Sequence, residues 1–201
     1  MIMREKEKML KGELYDANDE ELVQARLRCK DLCFELNHLR PSLIEEQKGI
    51  IQKLFAKTGT SFYITTPFWC DYGSQIEIGE DFYCNHNCVI LDCAPVVFGN
   101  HVYIGPNCGF YTAYHPFDVH TRRKGLEYAS KIMIGNDVWI GGDVKVMPGV
   151  TIGNDVIIGA GSVVTHDIED HVIAVGNPCR VLRKINKQDH VCRDEKKKRS
   201  S

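Results

Sequence analysis

The sequence predicts a mainly β chain wound into a triangular parallel β-helix, and three observations predict it. Aliphatic residues recur at a step of six through Ile134, Ile140, Val146, Ile152, Ile158 and Val164. A small residue follows most of them, as at Gly135, Gly141, Gly153 and Gly159, and Val138, Val144, Val150 and Val156 keep the same beat four residues on. The beat returns more loosely upstream, at Ile78, Cys84 and Ile90 and again at Phe98, Ile104 and Phe110. Neither a helical nor a flat-strand period gives a six-residue recurrence with a small residue fixed behind each aliphatic. Three hexads make one coil of about 18 residues, each aliphatic pointing inward from one flat side. The twelve hexad sites predict about four coils stacked at about 4.8 Å, with side chains of one register forming ladders down the interior.

Residues 1–58 read as a helical segment. Asn18 with Glu21 resembles a capping box, and Leu22, Ala25, Cys29, Leu32, Cys33 and Leu36 then recur at spacings of three and four. Pro41 ends that element. Ser42 with Glu45 suggests a second capping box, opening a helix that carries Ile44, Ile50, Ile51, Leu54 and Phe55. A helical hairpin is therefore expected ahead of the β-helix of residues 59–168. The hexad beat breaks once, after Phe110, and the polar segment 114–131 is expected to leave the solenoid as a loop on one face. Residues 169–190 leave the repeat through Gly176-Asn177-Pro178, with Val181, Leu182 and Ile185 suggesting a short helix. Residues 191–201 form a charged tail, expected to be solvated and mobile.

Composition narrows the function. The chain has 201 residues, 43% hydrophobic, with Lys+Arg 25 against Asp+Glu 27 and a net charge of −2. Disorder throughout is excluded, and so is the basic footprint of a generic nucleic-acid binder. No apolar run reaches the roughly 18–20 residues of a membrane span. The charged start from Met1 to Lys11 does not resemble a secretory signal, so a cytoplasmic protein is expected. The nine cysteines are odd in number and show no C-x-x-C spacing. They read as small core fillers in a reducing compartment, and no metal site is expected.

The outstanding candidate for chemistry is His115, where the repeat ends and the loop begins. Pro116 restricts its backbone to an extended region, and an imidazole suits general-base work near neutral pH. Asp71, Asn85 and Asp92 form a second constellation of acids and an amide. Glu127 lies on the same loop as His115. No Gly-x-Ser-x-Gly occurs, and Gly159-Ala160-Gly161 lacks the third glycine of a dinucleotide fingerprint.

Several motifs together resemble the maltose/galactoside O-acetyltransferase family. They are the hexapeptide repeats, Gly12-Glu13-Leu14-Tyr15, Asn37-His38, Cys70-Asp71-Tyr72-Gly73, Thr112-Ala113-Tyr114-His115-Pro116, Val138-Trp139-Ile140-Gly141-Gly142 and Gly176-Asn177-Pro178-Cys179-Arg180. The resemblance implies a left-handed β-helix, a homotrimer with active sites between subunits, and acetyl transfer from acetyl-CoA to a hydroxyl of a small acceptor such as a sugar. It implies His115 as general base and Asn85, Asp71 and Asp92 as pocket residues, with Asp16 one place off the acid of some members. Trp139, Gly142, Ala160, Thr165, Arg180 and Arg183 match the coenzyme side, where His166 replaces a common lysine. Glu127 is expected to fix the His115 tautomer, and Asn85 or a backbone N–H to stabilise the developing oxyanion, with direct transfer and no acetyl-enzyme.

Two other readings remain open. One is a metal enzyme similar to the γ-class carbonic anhydrases, with His115, His120 and either His86 or His101 around a zinc ion. The other is a non-catalytic β-helical scaffold.

Overall fold

A computed structural model describes residues 3–189, so the expected mobile tail lies outside the described residues. The N-terminal segment is helical, as its apolar spacing implies. It holds α1 (Glu5–Leu10), the short strand β1 (Tyr15–Asp16), α2 (Glu20–His38) and α3 (Ile44–Leu54). α1 was not anticipated; at its start the backbone N–H and guanidinium of Arg4 donate to the Glu7 carboxylate. Neither expected capping box forms. Asp19, not Asn18, caps α2 by accepting from the Glu21 amide, because Asn18 turns back to the Asp16 carboxylate. α3 starts after Leu43 with no side-chain cap. The apolar stripe of α2 buries Leu22, Cys29, Cys33 and Leu36.

The solenoid follows. Its first coil is β2 (Phe62–Ile64), β3 (Phe68–Cys70) and β4 (Ile76–Ile78), and its second is β5 (Phe82–Cys84), β6 (Cys88–Leu91) and β7 (Val96–Phe98). The third begins with β8 (Tyr103–Ile104) and β9 (Gly109–Tyr111). It is interrupted by β10 (Ala113–Tyr114), α4 (Val119–Arg123) and β11 (Leu126–Ala129), and it closes with β12 (Ile132–Ile134). Then come β13 (Trp139–Ile140), β14 (Lys145–Val146) and β15 (Thr151–Ile152), followed by β16 (Ile157–Ile158), β17 (Val163–Val164), β18 (Val172–Val175) and β19 (Arg180–Lys184).

These strands stack into three sides. Side one is β2-β5-β8-β13-β16-β18, with β19 added at its edge; side two is β3-β6-β9-β14-β17; side three is β4-β7-β12-β15. Six parallel strands on side one exceed the expected four coils. The first coil escapes the hexad pattern because Thr65 and Asp71, rather than glycine, follow Ile64 and Cys70. At the other end β18 pairs in parallel with β16, so the solenoid runs past residue 168. The expected C-terminal helix is instead β19, antiparallel to β18 and exposed along its length. Five residues are too few to separate a helical from an extended period, and the open edge of β18 offers backbone partners that a helix would leave unpaired.

The interior is what the beat predicts. Ile104, Phe110, Ile140, Val146, Ile152, Ile158 and Val164 are all at most 1% exposed, and so are Val102, Val138, Val144 and Val156. The corners divide the turning between two residues. A Cβ on Gly141 would stand 2.6 Å from the Ala160 nitrogen, so the glycine is required by the close approach of the next coil. The left-handed backbone falls two residues later, at Asp143 and, around the solenoid, at Asp81, Asn87, His101, Asn107, Asp137 and Asp155. Short polar side chains tolerate that conformation. At one corner a ladder ties the coils together, with Asn100 accepting from the Glu80 amide, Asn136 from Asn100, and Asn154 from Asn136. Among the described residues no helix is long and apolar enough to cross a membrane.

Candidate active site

Chemistry-bearing side chains collect at the corner between sides two and three. Successive coils deliver Asp71 after β3 and Asp92 after β6 to that corner, and after β9 the chain leaves there as the loop. The loop is a ribbon rather than a loose excursion. β10 pairs antiparallel with β11, and β1 of the N-terminal segment pairs with the other edge of β11. That three-stranded sheet sets Tyr15 opposite Glu127 and leaves His115 just beyond β10.

The imidazole geometry follows from its partners. His115 Nδ1 lies 3.2 Å from the Leu126 carbonyl. A carbonyl only accepts, so Nδ1 carries the hydrogen and Nε2 is left with a free lone pair. Glu127 Oε1 stands 3.9 Å from Nε2, and Oε2 accepts from the Tyr15 hydroxyl at 2.7 Å. The tautomer is therefore held by a backbone carbonyl, not by Glu127 as expected from sequence. The carboxylate sits on the other side of the ring, where it supports a positive imidazolium. Burial raises the Tyr15 phenol well above its usual range, which keeps it a donor to Glu127.

Beside His115 opens a cavity of about 400 Å³, whose walls include Asp71, Cys93, Arg26, Asn18 and Glu127. Burial pushes the Asp71 carboxyl upward, against the pull of the Cys93 thiol, which donates to it over 3.7 Å, and of the Arg26 charge. Arg26 is fixed by donating to the Tyr72 hydroxyl at 2.6 Å and to the Ala17 carbonyl at 2.5 Å. Asp92, expected in the pocket, does not line it. It is fully buried and accepts from the backbone N–H groups of Asp71, Tyr72 and Gln75 at 2.8–3.2 Å. Burial raises its pKa to about 7 despite those donors. Asp92 thus shapes the turn that presents Asp71. Asp16, also expected in the pocket, is not among its lining residues either; its carboxylate accepts from the backbone and side-chain nitrogens of Asn18, which does line it.

Asn85 is elsewhere. It follows β5 at the corner between sides one and two, and it lines a second, more open concavity of about 490 Å³ with Tyr83, Tyr103, Gly105 and Trp139. Its side-chain oxygen accepts from the His86 amide at 2.8 Å, which turns its NH₂ outward as a donor. Within one chain, His115 and Asn85 share no cavity.

Two family models match the sequence, the maltose acetyltransferase hexapeptide capping motif over residues 8–59 and the bacterial transferase hexapeptide of six repeats over residues 131–166. A maltose O-acetyltransferase from Clostridium difficile superimposes with a TM-score of 0.91 at 47% identity, covering 92% of this chain and 99% of that one. A galactoside acetyltransferase solved in complex with coenzyme A gives 0.92 at 42% identity, covering 96% of both. The galactoside O-acetyltransferase of Escherichia coli is 43% identical over 189 residues, 94% of this chain and 93% of its own length. The chain belongs to the maltose/galactoside O-acetyltransferase family.

As an acetyltransferase of this hexapeptide-repeat family, the chain carries its expected coenzyme-side residues away from His115. Gly142 and Ala160 stack below Asn85 along the same corner, where Trp139 projects from side one with 56% exposure. Thr165 and His166 follow β17, their side chains 2.9 Å apart. His166 and Arg180 line one concavity of about 240 Å³. Arg183 already holds the Asp189 carboxylate through two nitrogens at 2.6 and 2.8 Å. The bulge in β19 sets Arg180 opposite Val175 and Arg183 opposite Ile173, so the two share a face of the strand although they are three apart. The four histidines of the metal-enzyme reading are dispersed. His86 bonds the Thr66 carbonyl, His101 pairs with Asp81 and His120 lies on α4.

Sequence reasoning missed Arg26, Cys93, Tyr15 and Asn18. Arg26 had a signal, because it falls four residues after Leu22 and three before Cys29, placing a charge on the apolar stripe of α2. Cys93 gave none.

Proposed function

We propose that the protein is an acetyl-CoA-dependent O-acetyltransferase acting on a hydroxyl of a sugar, with His115 as general base. The observation that carries this reading is the His115 imidazole held by the Leu126 carbonyl, with Nε2 open beside a carboxylate-walled cavity. An acceptor hydroxyl gives its proton to Nε2 as its oxygen attacks the thioester carbonyl. The carbon–sulfur bond breaks, and the coenzyme A thiolate takes the proton from the imidazolium, which Glu127 supports until then. No acetyl-enzyme is required. Asp71 and Glu127 suit sugar hydroxyls as charge-assisted acceptors, with Arg26 as a donor.

The assembly proposed is a homotrimer in which Asn85 of one copy faces His115 of the next. Exposed and half-buried rings support it. Tyr63, Tyr83, Tyr103 and Trp139 stand in register on side one, and Phe117 on the loop is 99% exposed. Such apolar surface calls for a neighbour. The outward NH₂ of Asn85 would then stabilise the thioester oxygen as it gains charge. The coenzyme would run along Gly142, Ala160 and Trp139, with Thr165, His166, Arg180 and Arg183 toward its phosphates. The galactoside acetyltransferase solved with coenzyme A supports this co-substrate. Neither nucleic acid nor membrane has a part in this reading, and the expected setting is the cytoplasm.

Thiol release from acetyl-CoA, measured across sugars, nodulation-type oligosaccharides, serine and antibiotics, tests the acceptor class. Turnover with glucosyl or galactosyl hydroxyls is expected. Turnover confined to serine or to an antibiotic would overturn the sugar assignment.

A further inference from the structure

Away from both concavities, three thiols meet under α2. Cys29 and Cys33, four apart on that helix, project from one face, and Cys70 reaches them from β3. The Cys70 sulfur lies 3.5 Å from that of Cys29 and 3.8 Å from that of Cys33, and all three are within 4.8 Å of one another. Their residues are 2%, 0% and 7% exposed. We infer that these three sulfurs form a binding site for Cu(I).

The triangle has the size of a metal–thiolate site. With two edges of 3.5 and 3.8 Å and a third no longer than 4.8 Å, its centre is about 2.1–2.4 Å from every sulfur, against about 2.3 Å for a zinc–thiolate bond. Donor type and number then choose the ion. Thiolate sulfur selects Cu(I), zinc or iron–sulfur clusters over harder cations. Zinc in a closed site takes four ligands almost without exception. Among the described residues no fourth His, Cys, Asp or Glu donor joins the group, and with the three residues at most 7% exposed a water ligand is disfavoured as the fourth. Cu(I), a soft cation content with three sulfurs, matches what is present. Binding forms three sulfur–copper bonds from sulfur lone pairs, and the displaced thiol protons pass to solvent with no change of oxidation state.

Core filling alone does not account for this arrangement. Among the described residues no other buried thiols gather as three donors on one point: Cys108, for one, has its sulfur 3.2 Å from the Gly141 carbonyl, and Cys93 faces Asp71 in the cavity wall. The trio instead gathers donors from two separate elements onto one point, and it joins the helical segment to the first coil. Cys70 immediately precedes Asp71, so an ion there would also stiffen the strand leading to the cavity wall.

The test is an anaerobic titration of the reduced full-length protein with Cu(I) supplied as its bicinchoninate complex. One Cu(I) per chain should be withdrawn from the chelator. Cys29→Ser and Cys33→Ser should each weaken binding by at least about a hundredfold, while Cys108→Ser should leave it unchanged. X-ray absorption of the loaded wild-type protein needs no variant and should show three sulfurs at about 2.2–2.3 Å. No transfer from the chelator, or transfer that survives Cys33→Ser in folded protein, overturns the proposal. So does preferential retention of Zn(II) with an oxygen or nitrogen neighbour in its absorption spectrum.

Discussion

The concavities beside His115 and beside Asn85 are of similar size and opposite character. The one beside His115, about 400 Å³, is walled by an imidazole, carboxylates, a thiol and a guanidinium. The one beside Asn85, about 490 Å³, is walled by tyrosine and tryptophan rings and one amide. The first can move a proton and hold a polyol; the second offers a flat apolar bed and a donor suited to a thioester. They occupy different corners of a rigid prism, and flat sides of stacked strands cannot fold one corner onto the next. The difference is what the proposed assembly rests on: if the two concavities are halves of one site, closing them on each other falls to a second copy.

Breaking the proton half should have the largest effect. His115→Ala should lower kcat by roughly 10²–10⁴, with the KM for acetyl-CoA and the assembly unchanged; steady-state kinetics on either substrate checks this. Near-wild-type turnover would remove His115 from the mechanism. The scaffold that keeps the corners apart should respond in stability instead. Ile140→Ala, at a fully buried inward position, should cost about 2–5 kcal/mol in denaturant unfolding while leaving the chemistry of the folded fraction intact.

Asp92 sharpens the comparison through pH. Its folded-state pKa is about 7, above the roughly 3.9 of an unfolded Asp. Between those values the folded chain holds a proton that the unfolded chain has lost, so stability from this group declines as pH rises. The stability advantage of the wild type over Asp92→Asn should therefore shrink by about 1–4 kcal/mol from pH 4 to 7. A difference that stays flat in urea midpoints across that range would contradict it. The smallest effect belongs to the coenzyme half. Arg183→Ala should raise the KM for acetyl-CoA about fivefold, the low end of a charge-assisted contact, because Arg183 must release Asp189 to meet a phosphate. Acetyl-pantetheine, which lacks the nucleotide, should show no such penalty.

The solenoid was legible because its physics is periodic. One aliphatic register repeats at every hexad and a close glycine at most of them, so Ile134 to Val164 announce the fold without help. The first coil was harder, since Ile64 and Cys70 are followed by Thr65 and Asp71. β19 was misread because Val181, Leu182 and Ile185 fit two periods over a short run, and only the open edge of β18 decides between them. The candidate site was legible where backbone restriction and residue chemistry coincide, as at His115 before Pro116, which the structure sets at the edge of a cavity. Roles set by stacking were not. Asp92 and Asp71 look alike in sequence, and their difference comes from which of them lies beneath the other's backbone. Likewise the Leu126 carbonyl, invisible as a residue type, holds the imidazole in place of Glu127.

The central claim, that the half-sites close between copies, is tested most directly by mixing two inactive variants. His115→Ala and Asn85→Ala chains, each expected to lack activity alone, are co-expressed with separate tags so that trimers containing both can be isolated. A trimer holding both variants, in either 2:1 combination, brings an intact His115 against an intact Asn85 at one of its three shared sites, so about a third of wild-type activity should return in the isolated mixed trimers. Mixed trimers as inactive as their parents would contradict the account.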